Sequence, residues 1–187
     1  MALEALAQSL PPYAADIAAN LTALTEETLL SDQQKWGCFV ASAHAVATPA
    51  ALQAIETAAA AAGLSADAKS AAKGAAAIMA QNNVYFRALA LMKNQDYRAL
   101  RSRLRMNLAF NPGVARDDFE LWCVAVSAIH GCPDCLDAHE GALRGRGVSA
   151  EAVQTALRIA AVVHAVSRVL AGEAAAASQG VGLPVST

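Results

Sequence analysis

Apolar residues recur along this chain at spacings of three and four, so the hydrophobic pattern is helical from end to end. Ala- and Leu-rich segments are separated by turn signals at Pro11-Pro12, Gly63, Asn111-Pro112-Gly113, Gly131, Gly145 to Gly147, and from Gly180 onward. No segment alternates strictly enough, or is β-branched enough, to predict a strand. The pattern therefore predicts an all-α fold. Ser65 and Ser149 suit N-cap positions, each with an acid two residues later, Asp67 and Glu151, in the first turn. The long helix after each cap lacks charge on one side, which predicts that it forms a lobe core.

The two halves of the chain follow one plan. Trp36 recurs as Trp122, each with an aspartate four residues earlier (Asp32, Asp118) and a histidine eight residues later (His44, His130). Gly63 to Ala68 matches Gly147 to Ala152, and Ala76-Ala77-Ile78 matches Ala160-Ala161-Val162. The offset drifts from 86 to 84 residues, as a duplication with small deletions would give. The expected organisation is one domain over residues 1–187, an internally duplicated helical subunit with two lobes sharing one core. Residues 13–95, approximately, form a scaffold lobe, and residues 96–180 form the lobe that carries a cysteine pair.

Composition changes this picture in one respect. Of 187 residues 56% are hydrophobic, but much of that is alanine, and only 5% are aromatic. Alanine favours helix and buries little area per residue. Closely packed helices with thin cores follow, and such a subunit gains from further burial in an oligomer. The formal net charge of −2 gives no field that favours nucleic acid. Arg98, Arg101, Arg103 and Arg105 are the one basic stretch, expected on a solvated or subunit-facing helix surface. No Lys or Arg precedes Lys35, and the first 30 residues hold no continuous apolar run. Alanine stretches such as Ala58 to Ala62 fall far short of the ~18 apolar residues of a membrane span. The expected location is the cytoplasm, away from any membrane. There a Cys-x2-Cys pair is catalytic or metal-binding more often than a structural staple.

That pair belongs to a longer string: Glu120, eleven residues, Cys132-Pro133-Asp134-Cys135, three residues, His139. Gly131 can end one helix in a left-handed cap, and Pro133 suits the first position of the next. Cys132 then falls at the N-cap and Cys135 in the first turn, where the partial positive charge of the helix end favours a thiolate. His139, at i+4 from Cys135, shares its helical face. Glu120 lies one helix upstream, and burial beside the pair would raise its pKa and let it pass protons. Other readings of these residues exist. Cys132, Cys135 and His139, with Glu120 or His130, could bind zinc, although a second Cys-x2-Cys is absent. Cys38, Cys123, Trp36 and Trp122 read as core, His44 and His130 as packing residues, and His164 as a hydrogen-bonded core histidine.

The string Glu120-x11-Cys132-x2-Cys135-x3-His139 resembles the active-site signature of the AhpD family of alkyl hydroperoxidases, within the wider carboxymuconolactone decarboxylase-like superfamily. Tyr13 to Ile17, Ala75 to Met79, Asn82 to Val84, Leu104 to Asn107, Asn111 to Gly113 and Phe119 to Trp122 resemble it as well. The resemblance implies a homotrimer and a thiol-dependent peroxidase acting on hydroperoxides. It implies Cys135 as the nucleophile that passes through a sulfenic acid, and Cys132 as proton donor and resolving thiol. A Cys132–Cys135 redox disulfide follows, with Glu120 and His139 as the proton relay. It further implies no tightly bound cofactor and no metal. The reductant would be a dihydrolipoamide group on a lipoyl-bearing acyltransferase, served by dihydrolipoamide dehydrogenase, and the electrons would pass to an AhpC-type peroxiredoxin. One departure stands out. Well-known members of the family carry a histidine directly before the second cysteine, where this chain has Asp134, whose charge opposes thiolate formation at Cys135. His130 is a candidate to take over part of the relay. A superfamily lactone decarboxylase, which would not need both thiols, and a non-enzymatic disulfide carrier or metal-binding module are the competing functions.

Overall fold

A computed structural model describes residues 2–178, and among them the chain forms ten α-helices and no strand. These are α1 (Ala2–Gln8), α2 (Ala15–Thr25), α3 (Asp32–Val46), α4 (Pro49–Ala61), α5 (Ala66–Leu91), α6 (Asp96–Ala99), α7 (Asn107–Phe110), α8 (Arg116–His130), α9 (Pro133–Gly145) and α10 (Ala150–Ser178). The start signals work as read. Ser65 Oγ accepts from Ala68 N at 3.1 Å, and Ser149 Oγ accepts from Ala152 N at 3.1 Å. Ser31 caps α3 through a full capping box with Gln34.

Four helices make the core: α3 and α8 pack on each other, and each packs on both α5 and α10. Their small residues set how closely the backbones approach. At the α3–α8 crossing Gly37 lies against the indole of Trp122, and a Cβ added there would sit 2.1 Å from Trp122 Cε2. The indole Nε1 donates to Gln34 O at 3.1 Å, so the largest buried side chain is both packed and hydrogen-bonded. Shorter helices flank this core: α4 packs on α3 and α10, and α9 packs on α8 and α5.

The helices of the two halves are in step. α3 and α8 are both 15 residues long, and α4 and α9 are both 13. Asp32 and Arg116, Pro49 and Pro133, and Ala66 and Ala150 begin successive pairs, each 84 residues apart. Ala47 and Gly131 are left-handed at the two equivalent helix ends, with φ of 59° and 64°. In this register Trp36 corresponds to Glu120, not to Trp122, so the tryptophan pairing is two residues out of step with the helices. Thr48, Ala51 and Ile55 stand where the second half has Cys132, Cys135 and His139. The end of the 96–180 repeat lies outside the described residues.

Three sequence expectations change. The basic stretch is not one helix surface: α6 ends at Ala99, and Arg101, Arg103 and Arg105 lie on non-helical chain, with Arg103 left-handed at φ 53°. All four arginines are exposed. His164 is exposed, not a core histidine, because Val162, Val163 and Val166 take the inward positions of α10. Finally, α10 is long and apolar enough to cross a membrane by length and composition, beyond what the alanine stretches suggested. It packs on α2, α3, α4 and α8 and buries Val153, Ile159, Val163 and Val166 among them. His44, by contrast, packs as expected, with Nε2 2.7 Å from Glu56 Oε1.

Gly37→Ala tests the crossing. The added methyl must displace a buried indole, so the substitution is expected to cost about 2–3 kcal/mol in urea unfolding with the slope unchanged.

Candidate active site

The cysteine pair sits at a helix junction that the sequence specifies residue by residue. Gly131 closes α8 in a left-handed conformation, and Cys132 N then donates back to Ser127 O at 3.2 Å. Cys132 is extended, at φ −102° and ψ 99°, and serves as N-cap of α9 with Pro133 at the first helical position. Its carbonyl accepts from Leu136 N at 3.0 Å. Cys135 follows in the first turn. The two cysteines are joined as a disulfide, with Cα atoms 5.3 Å apart.

The two sulfurs are not equivalent. Cys132 is wholly buried, whereas Cys135 is 6% exposed and lines a cavity of about 250 Å³. Met79, Asn82, Phe86, Asp134, Ala138 and His139 line the rest. The cavity lies where α5 meets α9, and apolar surface dominates it.

Glu120 and His139 are brought together as the string suggested. His139 Nδ1 lies 2.5 Å from Glu120 Oε2, linking α9 to α8. The other carboxylate oxygen, Oε1, pairs with Arg116 Nη2 at 2.5 Å, one helical turn back. The expected rise in the Glu120 pKa does not hold. Burial pushes it up, but the hydrogen bond and charge of His139 and the charge of Arg116 outweigh that and hold it below the ordinary carboxylate value. Glu120 is therefore a buried anion held between Arg116 and His139. Arg116 went unnoticed in the sequence, although its i,i+4 spacing to Glu120 was a usable signal.

Asp134 is exposed enough to reach Arg98, and the pair lies 3.1 Å apart. Arg98 thus offsets part of the negative charge placed beside Cys135. His130 Nδ1 accepts from Asn83 Nδ2 at 3.1 Å. Burial first, and then the charge of Arg87, depress its pKa. Arg87 itself donates to the His130 carbonyl. His130 thus ties α8 to α5, and it does not line the cavity that Cys135 faces. Asn83 also accepts from Ser127 Oγ at 3.1 Å. The Asn82-Asn83 pair, two amides inside an alanine-rich helix, was the sequence signal for this polar lining.

The remaining cysteines are shielded. Burial, then the nearby charge of Asp118, pushes the Cys38 thiol well up. Burial and Glu120 do the same to Cys123, against Arg116. Neither is a nucleophile. Among the described residues no group of three or more His, Cys, Asp and Glu could hold a metal ion. The donors that a zinc site would need are bonded to each other: sulfur to sulfur, and imidazole to carboxylate.

Comparison with known proteins matches the carboxymuconolactone decarboxylase family over residues 95–178, which span the site. The chain is 55% identical over 179 residues to a protein of Hyphomonas neptunium named alkyl hydroperoxide reductase AhpD, covering 96% of this chain and 99% of that one. A protein of the same name from Caulobacter vibrioides is 55% identical over 175 residues, covering 94% and 96%. Another from Maricaulis maris is 53% identical over 173 residues, covering 92% and 99%.

Glu120→Gln tests the buried anion. Leaving Arg116 and His139 without their partner is expected to cost about 3 kcal/mol at neutral pH. Because the folded-state pKa is depressed, this contribution is present above the unfolded value of 4.5 and is lost as pH falls through the lower folded value. The gap between wild type and variant, measured by denaturant unfolding at several pH values, should therefore close on acidification.

Proposed function

The chain belongs to the AhpD family of alkyl hydroperoxide reductases, and we propose that it reduces organic hydroperoxides with the Cys132–Cys135 dithiol. The observation that carries this reading is the asymmetry of the pair. A disulfide at a helix N-terminus has one sulfur sealed in protein and the other open to an apolar cavity that also holds His139. An apolar cavity of this size suits the organic part of a hydroperoxide.

In the reduced enzyme Cys135 is the nucleophile. Its thiolate attacks the terminal peroxide oxygen, the O–O bond breaks, and the alkoxide leaves with a proton as the alcohol. Cys135 becomes a sulfenic acid. The thiol of Cys132 then attacks that sulfur, water leaves, and the disulfide forms. Protons travel through His139, held in place by Glu120, and Arg116 keeps Glu120 anionic. Sealing Cys132 suits the resolving role, because only Cys135 meets peroxide.

A dihydrolipoyl group regenerates the dithiol, giving two electrons and two protons and leaving as its own disulfide. The expected donor is a lipoyl-bearing acyltransferase, recharged by dihydrolipoamide dehydrogenase, and an AhpC-type peroxiredoxin is the expected recipient of electrons. The subunit would assemble as a homotrimer in the cytoplasm. Support for assembly comes from Leu91, Leu100 and Phe110, which are 77%, 65% and 71% exposed along one stretch of chain. Descent from a duplicated unit is part of the same reading, supported by the constant 84-residue step of the helix starts. A lactone decarboxylase would not need two joined sulfurs, and the pair disfavours that alternative.

Purified protein with dihydrolipoamide should consume cumene hydroperoxide catalytically, and Cys135→Ser should lose this activity to the level of the free thiol. A wild type with no turnover above that level, or an active Cys135→Ser, contradicts the reading.

A further inference from the structure

The sulfur of Met79 lies between two hydrogen-bond donors. His139 Nε2 is 3.2 Å from it, and Ser127 Oγ is 3.8 Å away. A thioether has no hydrogen to give, so it can only accept. Ser127 has one hydrogen and a better acceptor, Asn83 Oδ1, at 3.1 Å. The lone pairs of Met79 are thus left mainly to His139. A hydrogen bond between the two therefore has Nε2–H as its donor and Met79 Sδ as its acceptor, while Nδ1 faces Glu120.

Met79 is 1% exposed, yet it lines the same cavity as Cys135. This arrangement belongs to the disulfide form. A disulfide sulfur is neutral and a poor competitor for an N–H. A thiolate is charged and a much stronger acceptor than a thioether. We propose that Met79 is a positioning residue: its sulfur holds His139 while the pair is oxidised and yields it to the Cys135 thiolate once the pair is reduced. The proposal rests on the peroxidase reading for the role of His139. Reduction breaks the S–S bond and brings two electrons and two protons from a dithiol donor, which leaves as its own disulfide. The ring then has a new acceptor on its own helix, one turn away.

The groups around His139 bound what this exchange can do. From α8 it faces Glu120, with Arg116 behind. On α9 it shares the cavity with Cys135 and with Asp134, which Arg98 partly neutralises. From α5 come only uncharged groups, Met79, Asn82 and Phe86. Met79 is therefore an acceptor on that side of the cavity whose loss changes no charge and almost no volume.

The test uses Met79→Leu and, to keep the shape of the side chain, biosynthetic replacement of the four methionines by norleucine. Both remove the acceptor. One readout is the equilibrium between dithiol and disulfide in dihydrolipoamide/lipoamide mixtures. The other is the pH profile of Cys135 alkylation. A net hydrogen bond of ordinary strength predicts that the dithiol gains about two- to tenfold at equilibrium and that the alkylation midpoint moves to lower pH. In a His139→Gln background neither should move, because Met79 acts through that ring. Unchanged equilibrium and profile in a folded variant would overturn the proposal, and so would an equal shift without His139. Neither readout involves peroxide, so a failure here is separate from a failure of the peroxidase reading.

Discussion

The site depends on one buried anion. Glu120 is 2% exposed, and in that position an isolated carboxylate would take up a proton or destabilise the fold. It stays charged because Arg116 holds one oxygen and His139 the other, each at 2.5 Å. The cost of burying the charge is thereby turned into geometry. The carboxylate cannot rotate without losing a partner, so it fixes the ring of His139. His139 in turn fixes how α9 lies on α8. Since α9 begins at the cysteine pair, the same contact sets where Cys135 faces the cavity.

The scaffold beneath this contact is built from thin helices. Gly37 lets the backbone of α3 approach the indole of Trp122, and alanines such as Ala72, Ala75 and Ala156 fill the core without holding the helices apart. In the first half, the equivalent junction keeps its left-handed residue, Ala47, and its proline, Pro49. It replaces the reacting groups with Trp36, Thr48, Ala51 and Ile55. The fold of the junction therefore does not require the cysteines. A turn of this kind closes for backbone reasons, with or without the reacting groups.

Much of this was legible in the sequence because it is local. Gly131, Cys132 and Pro133 specify a helix end, a cap and a helix start by their own backbone preferences, and the serine caps do likewise. The i+4 spacing of Cys135 and His139 put them on one face. What the sequence could not supply was the neighbour across a helix crossing. Arg98 reaches Asp134, Asn83 reaches His130, and Met79 reaches His139 only because α5, α6, α8 and α9 lie as they do. The expected rise in the Glu120 pKa counted burial alone; His139, already in the string, and Arg116, one turn back on the same helix, outweigh it. His164 was misplaced because an apolar stretch does not reveal which of its faces turns inward.

The central claim is that Cys135 meets the peroxide, with His139 serving it and Cys132 resolving it. The most direct measurement treats reduced Cys132→Ser with one equivalent of cumene hydroperoxide in the presence of dimedone and locates the adduct by mass spectrometry. The account predicts a dimedone-tagged sulfenic acid on Cys135 alone, and at least a hundredfold slower labelling when His139→Gln is added, the usual scale for a lost proton relay. An adduct on Cys38 or Cys123, or no adduct on Cys135 in folded protein, would contradict it.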